Sequence, residues 1–299
     1  MKIADYTTLK IGGEAETVYF PSSTDELILI RDFLVLNNKE ITVIGAGSNI
    51  LVSSNSVSGG VILTNNLKNC EIFDTDKVKA DCGVKSAKLA KILSENNLSG
   101  LEFLIGIPGS VGGAVAMNSS AHNQAVKDTI ESAEVMNLET GEIFNLDKSQ
   151  LKLDYRSSFV EAHKYLILNA TFQLKKAEQK NILEKMEYNL NYRKQNHPPM
   201  TESNAGSCFR NPVNGVYVGY LLEKLGAKNW SQGKAKISSK HANFIVNTGD
   251  ATSLDVSRLM YKMYTEIKNN FGYELVAEIK YIGNSTEEEK EIWKNITKH

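Results

Sequence analysis

The chain has 299 residues, of which 41% are hydrophobic and 23% charged, a composition typical of a globular protein with two or three domains. Its 34 basic and 35 acidic side chains nearly cancel, so its charge favours neither nucleic acid nor an anionic membrane as a partner. Neither a signal peptide nor an apolar run of about 18 residues is visible, and we expect a cytoplasmic protein. Three cysteines without a CxxC pair predict reduced thiols, and five histidines without zinc-ligand spacing predict no metal site.

The first hundred residues alternate short strand and helix patterns. Residues 16–21 predict a strand that stops at a proline. Residues 24–37 predict an amphipathic helix, with a capping box that begins at Thr24. Further strands precede a helix that starts at Ser86 and ends near Gly100. This alternation predicts an α+β fold.

The predicted secondary structure changes twice along the rest of the chain. Residues 131–174 are rich in strand patterns, whereas 175–197 have helical spacing and end at the sequence HPP, which terminates a helix and indicates a domain boundary. Beyond it, helices are predicted over 215–227 and from Ser253 to Asn270. The tail, 286–299, predicts a charged helix on the solvated surface.

Two glycine-rich loops are candidate ligand sites. The first, IGAGSNILV, places Gly45, Ala46, Gly47, Ser48 and Asn49 after a strand. Such a loop either makes a tight turn or holds a pyrophosphate with its backbone amides. It lacks the third glycine and the helix start of the Rossmann fingerprint, so both interpretations stay open.

The second loop, FLIGIPGSVGGAVAMN, has four glycines within eight residues, at positions 106, 109, 112 and 113, flanked by Ser110 and Asn118. A purely structural loop rarely needs four glycines, whereas backbone packed against a large flat ligand does. The two loops together favour a bound dinucleotide.

The segment AGSCFRNP, 205–212, places a serine and a cysteine side by side after a glycine. Either side chain could donate a proton, and the ordinary cysteine pKa of about 8.5 is the closer to neutrality. Elsewhere, Arg156 on its own predicts a surface ion pair and Glu278 an exposed strand residue. Residue types alone do not decide whether Ser207 or Cys208 would donate a proton, or whether Arg156 and Glu278 have any functional role.

Seven motifs in this order resemble the UDP-N-acetylenolpyruvoylglucosamine reductase family: TTLKIGGEAE, IGAGSNILV, GIPGSVGGAVAMN, DYRSSF, AGSCFRNP, SSKHANFIVN and LVAEIKYIG. They extend from Thr7 to Gly283. The resemblance implies two FAD-binding lobes of the vanillyl-alcohol-oxidase type, over 1–75 and 76–197. It also implies a C-terminal α/β domain for the UDP-sugar over 198–299, with a last strand near 274–283 that returns to the active site.

The resemblance also implies an activity. Members of the family pass hydride from NADPH through non-covalent FAD to UDP-N-acetylglucosamine enolpyruvate, and the product is UDP-N-acetylmuramate, a peptidoglycan precursor. A bacterial, cytoplasmic monomer acting on small molecules is therefore expected. An FAD-dependent oxidase that uses oxygen and a nucleotide-binding module without catalysis are the alternatives.

The motifs assign roles to individual residues by the same resemblance. Arg156 and Glu278 match the catalytic arginine and the catalytic glutamate, which would be protonated or share a proton, and Ser207 matches the proton donor. The implied cofactor-binding residues lie in the two glycine loops: Gly45, Ala46, Gly47, Ser48, Asn49, Ile50, Pro108, Gly109, Ser110, Gly112, Gly113 and Asn118. The implied substrate-binding residues lie in the last hundred residues: Arg210, Asn211, Tyr220, Lys240 and His241.

Two departures from the family pattern stand out. After AMN the family usually continues with alanine, glycine, alanine and tyrosine, whereas this chain has Ser119, Ser120, Ala121 and His122. The lost glycine could change the backbone freedom near the flavin. Tyr220 stands where the family often has lysine, which puts one substrate contact in doubt.

Overall fold

A computed structural model describes residues 1–160, 165–212 and 215–297, so the last two residues of the predicted C-terminal helix lie outside the described part. The chain forms two compact units. The terminal unit comprises Met1–Glu16, Gly47–Ser58 and Lys194–His299, and the central unit comprises Thr17–Ala46 and Gly59–Arg193. The predicted three-part division at residues 75 and 197 stays a prediction.

The α-helices of the described residues are α1 (Thr24–Leu36), α2 (Ser86–Glu95), α3 (Val111–Ala116), α4 (Gln179–Asn196), α5 (Val218–Lys224), α6 (Ser253–Phe271) and α7 (Glu287–Ile296). Among these described helices, none is long and apolar enough to cross a membrane. The strands are β1 (Glu14–Tyr19), β2 (Ile41–Ile44), β3 (Ile50–Val52), β4 (Ser56–Leu63), β5 (Cys70–Phe73), β6 (Lys77–Asp81), β7 (Leu98–Ser99), β8 (Ser120–Ala121), β9 (Gln124–Ala125), β10 (Ile130–Asn137), β11 (Ile143–Asp147), β12 (Tyr165–Gln173), β13 (Lys175–Lys176), β14 (Ser203–Ser207), β15 (Ser231–Gln232), β16 (Ala235–Ile237), β17 (Phe244–Asn247) and β18 (Lys280–Ile282).

The central unit is built on a five-stranded sheet in the order β11-β10-β12-β6-β5, in which every neighbouring pair is antiparallel. A smaller sheet has the order β1-β4-β2, with β2 and β4 parallel. Strand β12 is buried over most of its length because it lies in the middle of the large sheet. Apolar residues of α2, including Leu89 and Leu93, complete the core of this unit.

The terminal unit contains the sheet β14-β17-β16-β15 and the parallel pair β18-β3. Helices α5, α6 and α7 bury their apolar faces in the same core as Phe209 of the segment after β14. Helix α6 has a capping box formed by Thr252 and Asp255 at its start and is capped at its end by Gly272, whose φ of 73° is left-handed. These local signals explain why its bounds were predictable.

Two helix predictions were wrong in part. The predicted start of α1 at Thr24 is confirmed, but the capping residue is Ser23 and not Thr24, because the Ser23 hydroxyl accepts from the Glu26 amide at 3.1 Å. The tail helix α7 is not merely a solvated surface element, since Ile292, Trp293 and Ile296 pack into the core of the terminal unit. Burial of this apolar face requires partners that the local sequence does not show.

Candidate active site

The two glycine loops meet within the central unit. A Cβ atom at Gly45, directly after β2, would lie 2.6 Å from Ser110 Oγ, so only glycine fits here without a shift of the serine. Ser110 is 2% exposed, and its hydroxyl has no hydrogen-bond partner among the described residues. A buried hydroxyl normally has a partner, so a ligand oxygen is a fitting one. The place where the loops meet therefore suits a phosphate-containing cofactor.

The two neighbouring glycines of α3 differ in surroundings. A Cβ at Gly112 would lie 2.8 Å from Cys82 Cβ, and the Gly112 amide already donates to the Cys82 carbonyl at 2.9 Å. Gly113 is exposed, and the nearest atom to its Cβ position, Ser110 Oγ, is 3.7 Å away. Gly112 thus serves close packing inside the unit, whereas Gly113 leaves the backbone open to a ligand.

Other predicted cofactor residues are engaged within the central unit. The buried Asn118 donates from Nδ2 to the Asp154 carbonyl at 2.9 Å and accepts at Oδ1 from the Lys127 amide at 2.9 Å. The carbonyl of Gly109, which follows Pro108, accepts from the Ser86 amide at 3.0 Å. Asn118 therefore holds the loop in shape; a contact with the cofactor stays a prediction.

Arg156 lies in a turn closed by two hydrogen bonds between Asp154 and Ser157, with N···O distances of 3.1 and 3.2 Å. Its φ of 54° is left-handed, which is uncommon for a residue with a side chain. The half-buried guanidinium donates from Nη1 to Ser120 Oγ at 2.8 Å and lies 5.2 Å from the centre of the Tyr155 ring. Such an uncommon backbone conformation is often found at functional positions.

The remainder of the first loop belongs to the terminal unit. Gly47 has a φ of 64°, and a Cβ there would overlap the Tyr6 carbonyl. The Gly47 carbonyl accepts from the amide of Thr8 at 3.0 Å, and the Thr8 hydroxyl donates to the Asn204 carbonyl at 2.7 Å. Thr8 was not singled out from the sequence, although it lies in the TTLKIGG motif.

Asn49 joins this loop to the segment that carries Glu278. Its Nδ2 donates to the Glu278 carbonyl at 3.0 Å, and its own carbonyl accepts from the Lys280 amide at 3.0 Å. Ile50, the first residue of β3, is paired with Lys280 of β18. Ser48 lies between Gly47 and Asn49 in the same loop. A change in this loop therefore acts directly on the backbone of Glu278.

Ser207 and Glu278 lie on neighbouring segments of the terminal unit. Ser207 is the last residue of β14, and the Glu278 amide donates to the carbonyl of the next residue, Cys208, at 2.8 Å. Ser207 and Glu278 are both half-buried, whereas Cys208 is fully buried. Burial raises the pKa of the Cys208 thiol to about 12, and the Glu278 carboxylate, when ionised, acts in the same direction. The thiol is thus protonated near neutral pH and shielded from solvent.

The predicted substrate-binding residues Arg210 and Asn211 follow on the same segment. The Arg210 amide donates to the Val276 carbonyl at 2.9 Å, and its Nε is buried with no hydrogen-bond partner in the described part of the chain. Burial and the positive charge of Arg210 lower the pKa of Lys280. Asn211 Oδ1 accepts from the Val218 amide at 3.1 Å, at the first residue of α5. The positive charges of Arg210 and Lys280 therefore lie close enough to influence each other, an arrangement that suits an anion.

Tyr220 is 60% exposed on α5, and its ring lies 4.6 Å from the Nζ atom of Lys224. Both residues line a cavity of the terminal unit together with Tyr217 and Tyr273. Aromatic rings beside an ammonium group suit a nucleotide, because a base can stack on a ring while a phosphate meets the charge.

Lys240 and His241 begin the turn before β17. Lys240 is exposed, whereas His241 is half-buried, stacks on the ring of His197 and accepts at Nδ1 from the Asn243 amide at 3.2 Å. Burial, together with the charge of Lys228, lowers the pKa of His241 below its ordinary 6.5. His241 is therefore neutral at pH 7.

Each unit brings together part of the predicted site. The central unit contains Arg156 and the contact between Gly45 and Ser110. The terminal unit contains Ser207 and Glu278 on neighbouring segments.

Two family models match the chain. One described as the C-terminal domain of UDP-N-acetylenolpyruvoylglucosamine reductase covers residues 198–282, and one described as an FAD binding domain covers 15–147. These matches confirm the predicted α+β fold with an FAD-binding domain and a C-terminal domain.

Relatives match nearly the whole length of the chain. The UDP-N-acetylenolpyruvoylglucosamine reductase of Caldicellulosiruptor saccharolyticus is 40% identical over 94% of this chain and 90% of its own. The protein of the same name from Bacillus subtilis is 38% identical over 95% and 93%. A crystal structure of the reductase from Thermus caldophilus matches with a TM-score of 0.81 and 30% identity, covering 94% of this chain and 97% of that one. The chain belongs to the UDP-N-acetylenolpyruvoylglucosamine reductase family.

Proposed function

We propose that this chain reduces UDP-N-acetylglucosamine enolpyruvate to UDP-N-acetylmuramate, with NADPH as the hydride source and non-covalent FAD as the cofactor. The observation that carries this proposal is the 40% identity, over 94% of the chain, to a relative named for that reductase. The product is a precursor of peptidoglycan, so the enzyme belongs to cell-wall synthesis.

FAD, when bound, supplies the relay for hydride between NADPH and the carbon–carbon double bond of the substrate. The residues proposed to hold it are the two glycine loops, 45–50 and 108–118. The Ser110 hydroxyl, which has no partner among the described residues, would donate a hydrogen bond to a phosphate oxygen of FAD. The open backbone at Gly113 would allow the cofactor to approach closely. Under this proposal residues 1–75 and 76–197 form the two lobes that bind FAD, and 198–299 binds the UDP-sugar.

Arg156 and Glu278 are proposed to stabilise negative charge on the substrate carboxylate. That charge grows as hydride arrives at the terminal carbon of the enolpyruvyl group, so groups fixed beforehand lower the barrier. The planar guanidinium of Arg156 suits the two carboxylate oxygens, and its restrained turn limits reorganisation. The Glu278 carboxyl, protonated or sharing a proton, would donate a hydrogen bond to the same intermediate.

Ser207 is proposed to donate a proton to the carbon next to the carboxylate. The neighbouring Cys208 is the alternative that the sequence leaves open. Its complete burial argues against it, because substrate cannot reach the thiol, whereas Ser207 is partly accessible. A serine hydroxyl is a weak acid, so its proton transfer depends on being held in place; the end of β14 provides that restraint.

The UDP moiety is proposed to bind in the terminal unit. Tyr220 and Lys224 line the aromatic cavity, and Arg210, Asn211, Lys240 and His241 are further candidates for contacts with the nucleotide or the sugar. Lys224 stands one helical turn from Tyr220 and supplies the positive charge that the tyrosine cannot. The enzyme would act as a monomer in the bacterial cytoplasm, where its three free thiols stay reduced.

The test is the visible spectrum of the purified protein under anaerobic conditions. Oxidised flavin absorption should disappear on addition of one equivalent of NADPH and return when UDP-N-acetylglucosamine enolpyruvate is added. Rapid reoxidation by oxygen, with no response to NADPH or to the enolpyruvyl substrate, would instead indicate an oxidase. A colourless protein that binds the nucleotide without turnover would indicate a non-catalytic binding module.

A further inference from the structure

Ser120 supports the side chain of Arg156. The serine lies in β8, which forms a hairpin with β9 through a two-residue turn at His122 and Asn123, whose φ angles are 53° and 60°. Its Oγ accepts a hydrogen bond from Arg156 Nη1 at 2.8 Å. We propose that Ser120 is a positioning residue for the reaction, because its hydroxyl fixes the guanidinium of Arg156. This inference rests on the proposed function.

The hairpin that carries Ser120 is itself anchored. The amide of Ser119 donates to the Ala114 carbonyl at 2.8 Å, and the Ser119 carbonyl accepts from the Val126 amide at 3.0 Å. At the other end, the Ala125 amide donates to the Asp128 carboxylate at 2.7 Å. The hydroxyl of Ser120 is therefore held by a fixed backbone, as a positioning group must be.

Two further hydrogen bonds tie the turn of Arg156 to the same stretch of chain. Asn118 Nδ2 donates to the Asp154 carbonyl at 2.9 Å, and Ser158 Oγ donates to the Ala116 carbonyl at 2.8 Å. These bonds fix the backbone on both sides of Arg156. They do not fix its long side chain, which has many rotamers. Of these three bonds, only that from Ser120 acts on the guanidinium itself.

The replacement of the family's glycine by Ser120 does not strain the backbone. Ser120 stands where the family pattern has glycine, but it lies in an extended strand and has no left-handed φ that would require glycine. The substitution adds a hydroxyl without backbone strain. In this chain that hydroxyl meets the proposed catalytic arginine.

The test compares Ser120→Ala with wild type in two separate half-reactions. Loss of a hydrogen bond to a charged, half-buried group should slow reoxidation of the reduced enzyme by substrate roughly tenfold. Reduction by NADPH and the melting temperature of the holoenzyme should stay at wild-type values. Ser120→Thr, which keeps the hydroxyl, should restore most of the rate, and Ser119→Ala should match wild type.

A double-mutant cycle distinguishes positioning from an independent effect. In an Arg156→Ala background, Ser120→Ala should cause no further loss of rate, because the group that it positions is gone. Calorimetry should also show weaker binding of the substrate to oxidised Ser120→Ala enzyme. If Arg156→Ala is slow and Ser120→Ala equals wild type, the inference fails while the proposed function stands. If Arg156→Ala itself reoxidises normally, the proposed role of Arg156 fails, and the inference with it.

Discussion

Neighbouring glycines in α3 should respond differently to the same substitution. Gly112→Ala places a Cβ 2.8 Å from Cys82 Cβ, whereas the nearest atom to a Cβ at Gly113 is 3.7 Å away. Alanine is favoured over glycine in a helix by about 1 kcal/mol, and this gain applies to both variants. Overpacking costs about 1–3 kcal/mol and applies only to Gly112→Ala. The free energies of unfolding of the two variants should therefore differ by about 1–3 kcal/mol.

Two separate measurements on flavin-free protein test this: urea unfolding gives the free energy of unfolding, and titration of the folded protein with FAD gives the affinity for the cofactor. Gly113→Ala should be at least as stable as wild type but should bind FAD more weakly, because its new methyl group projects from the surface proposed to contact the cofactor. Gly112→Ala should be the less stable of the two. Equal unfolding midpoints for both variants would refute the packing argument. Wild-type FAD affinity in Gly113→Ala would refute the proposed cofactor surface.

Three further predictions concern the terminal unit. Ser207→Ala should slow reoxidation of the reduced enzyme by substrate roughly 10²- to 10⁴-fold, and Ser207→Cys should recover part of that rate. Cys208→Ala should reoxidise at nearly the wild-type rate. Slow reoxidation in Cys208→Ala together with normal reoxidation in Ser207→Ala would overturn the assignment. Because the pKa of His241 is lowered by folding, the unfolded chain takes up the proton first as the pH falls, so the free energy of unfolding should decrease below about pH 6.5. Urea titrations from pH 7.5 to 5 should show this decrease, and it should be smaller in His241→Gln; identical profiles would exclude His241 as a source. Gly47→Ala should destabilise the protein more than Gly226→Ala. Both glycines have positive φ, but only a Cβ atom at Gly47 would collide with the backbone of another segment. Equal unfolding midpoints for the two variants would contradict the packing at Gly47.

Elements with local signals were predictable from the sequence. Helix α6 has a cap at Thr252 and a left-handed glycine at its end, and its predicted range differs from the observed one by a single residue. Of the two glycine loops, only the second favoured a ligand over a structural turn on its residues alone, because four clustered glycines rarely serve a purely structural turn, and its contacts with the cofactor stay a prediction. Helix α7 was recognised as a helix, but its burial was missed, because the core that receives Trp293 is assembled from distant segments.

The reasons for individual glycines and polar residues depend on contacts between segments far apart in the chain. Gly112 is required by Cys82, and Gly45 by Ser110, which is 65 positions later in the numbering. Ser120 was noticed only as a departure from the family pattern, since its contact with Arg156 joins residues 36 positions apart. No periodicity or spacing reports such pairs, so their roles emerge from the folded chain.

The central claim is that Arg156 and Glu278 act on the enolpyruvyl group and not on NADPH. Stopped-flow measurement of the two half-reactions in Arg156→Ala and Glu278→Gln tests this most directly. Both variants should be reduced by NADPH at the wild-type rate and reoxidised by UDP-N-acetylglucosamine enolpyruvate at least 100-fold more slowly, about 2.7 kcal/mol of lost transition-state stabilisation. Equal losses in both half-reactions, or wild-type reoxidation in either variant, would contradict the claim.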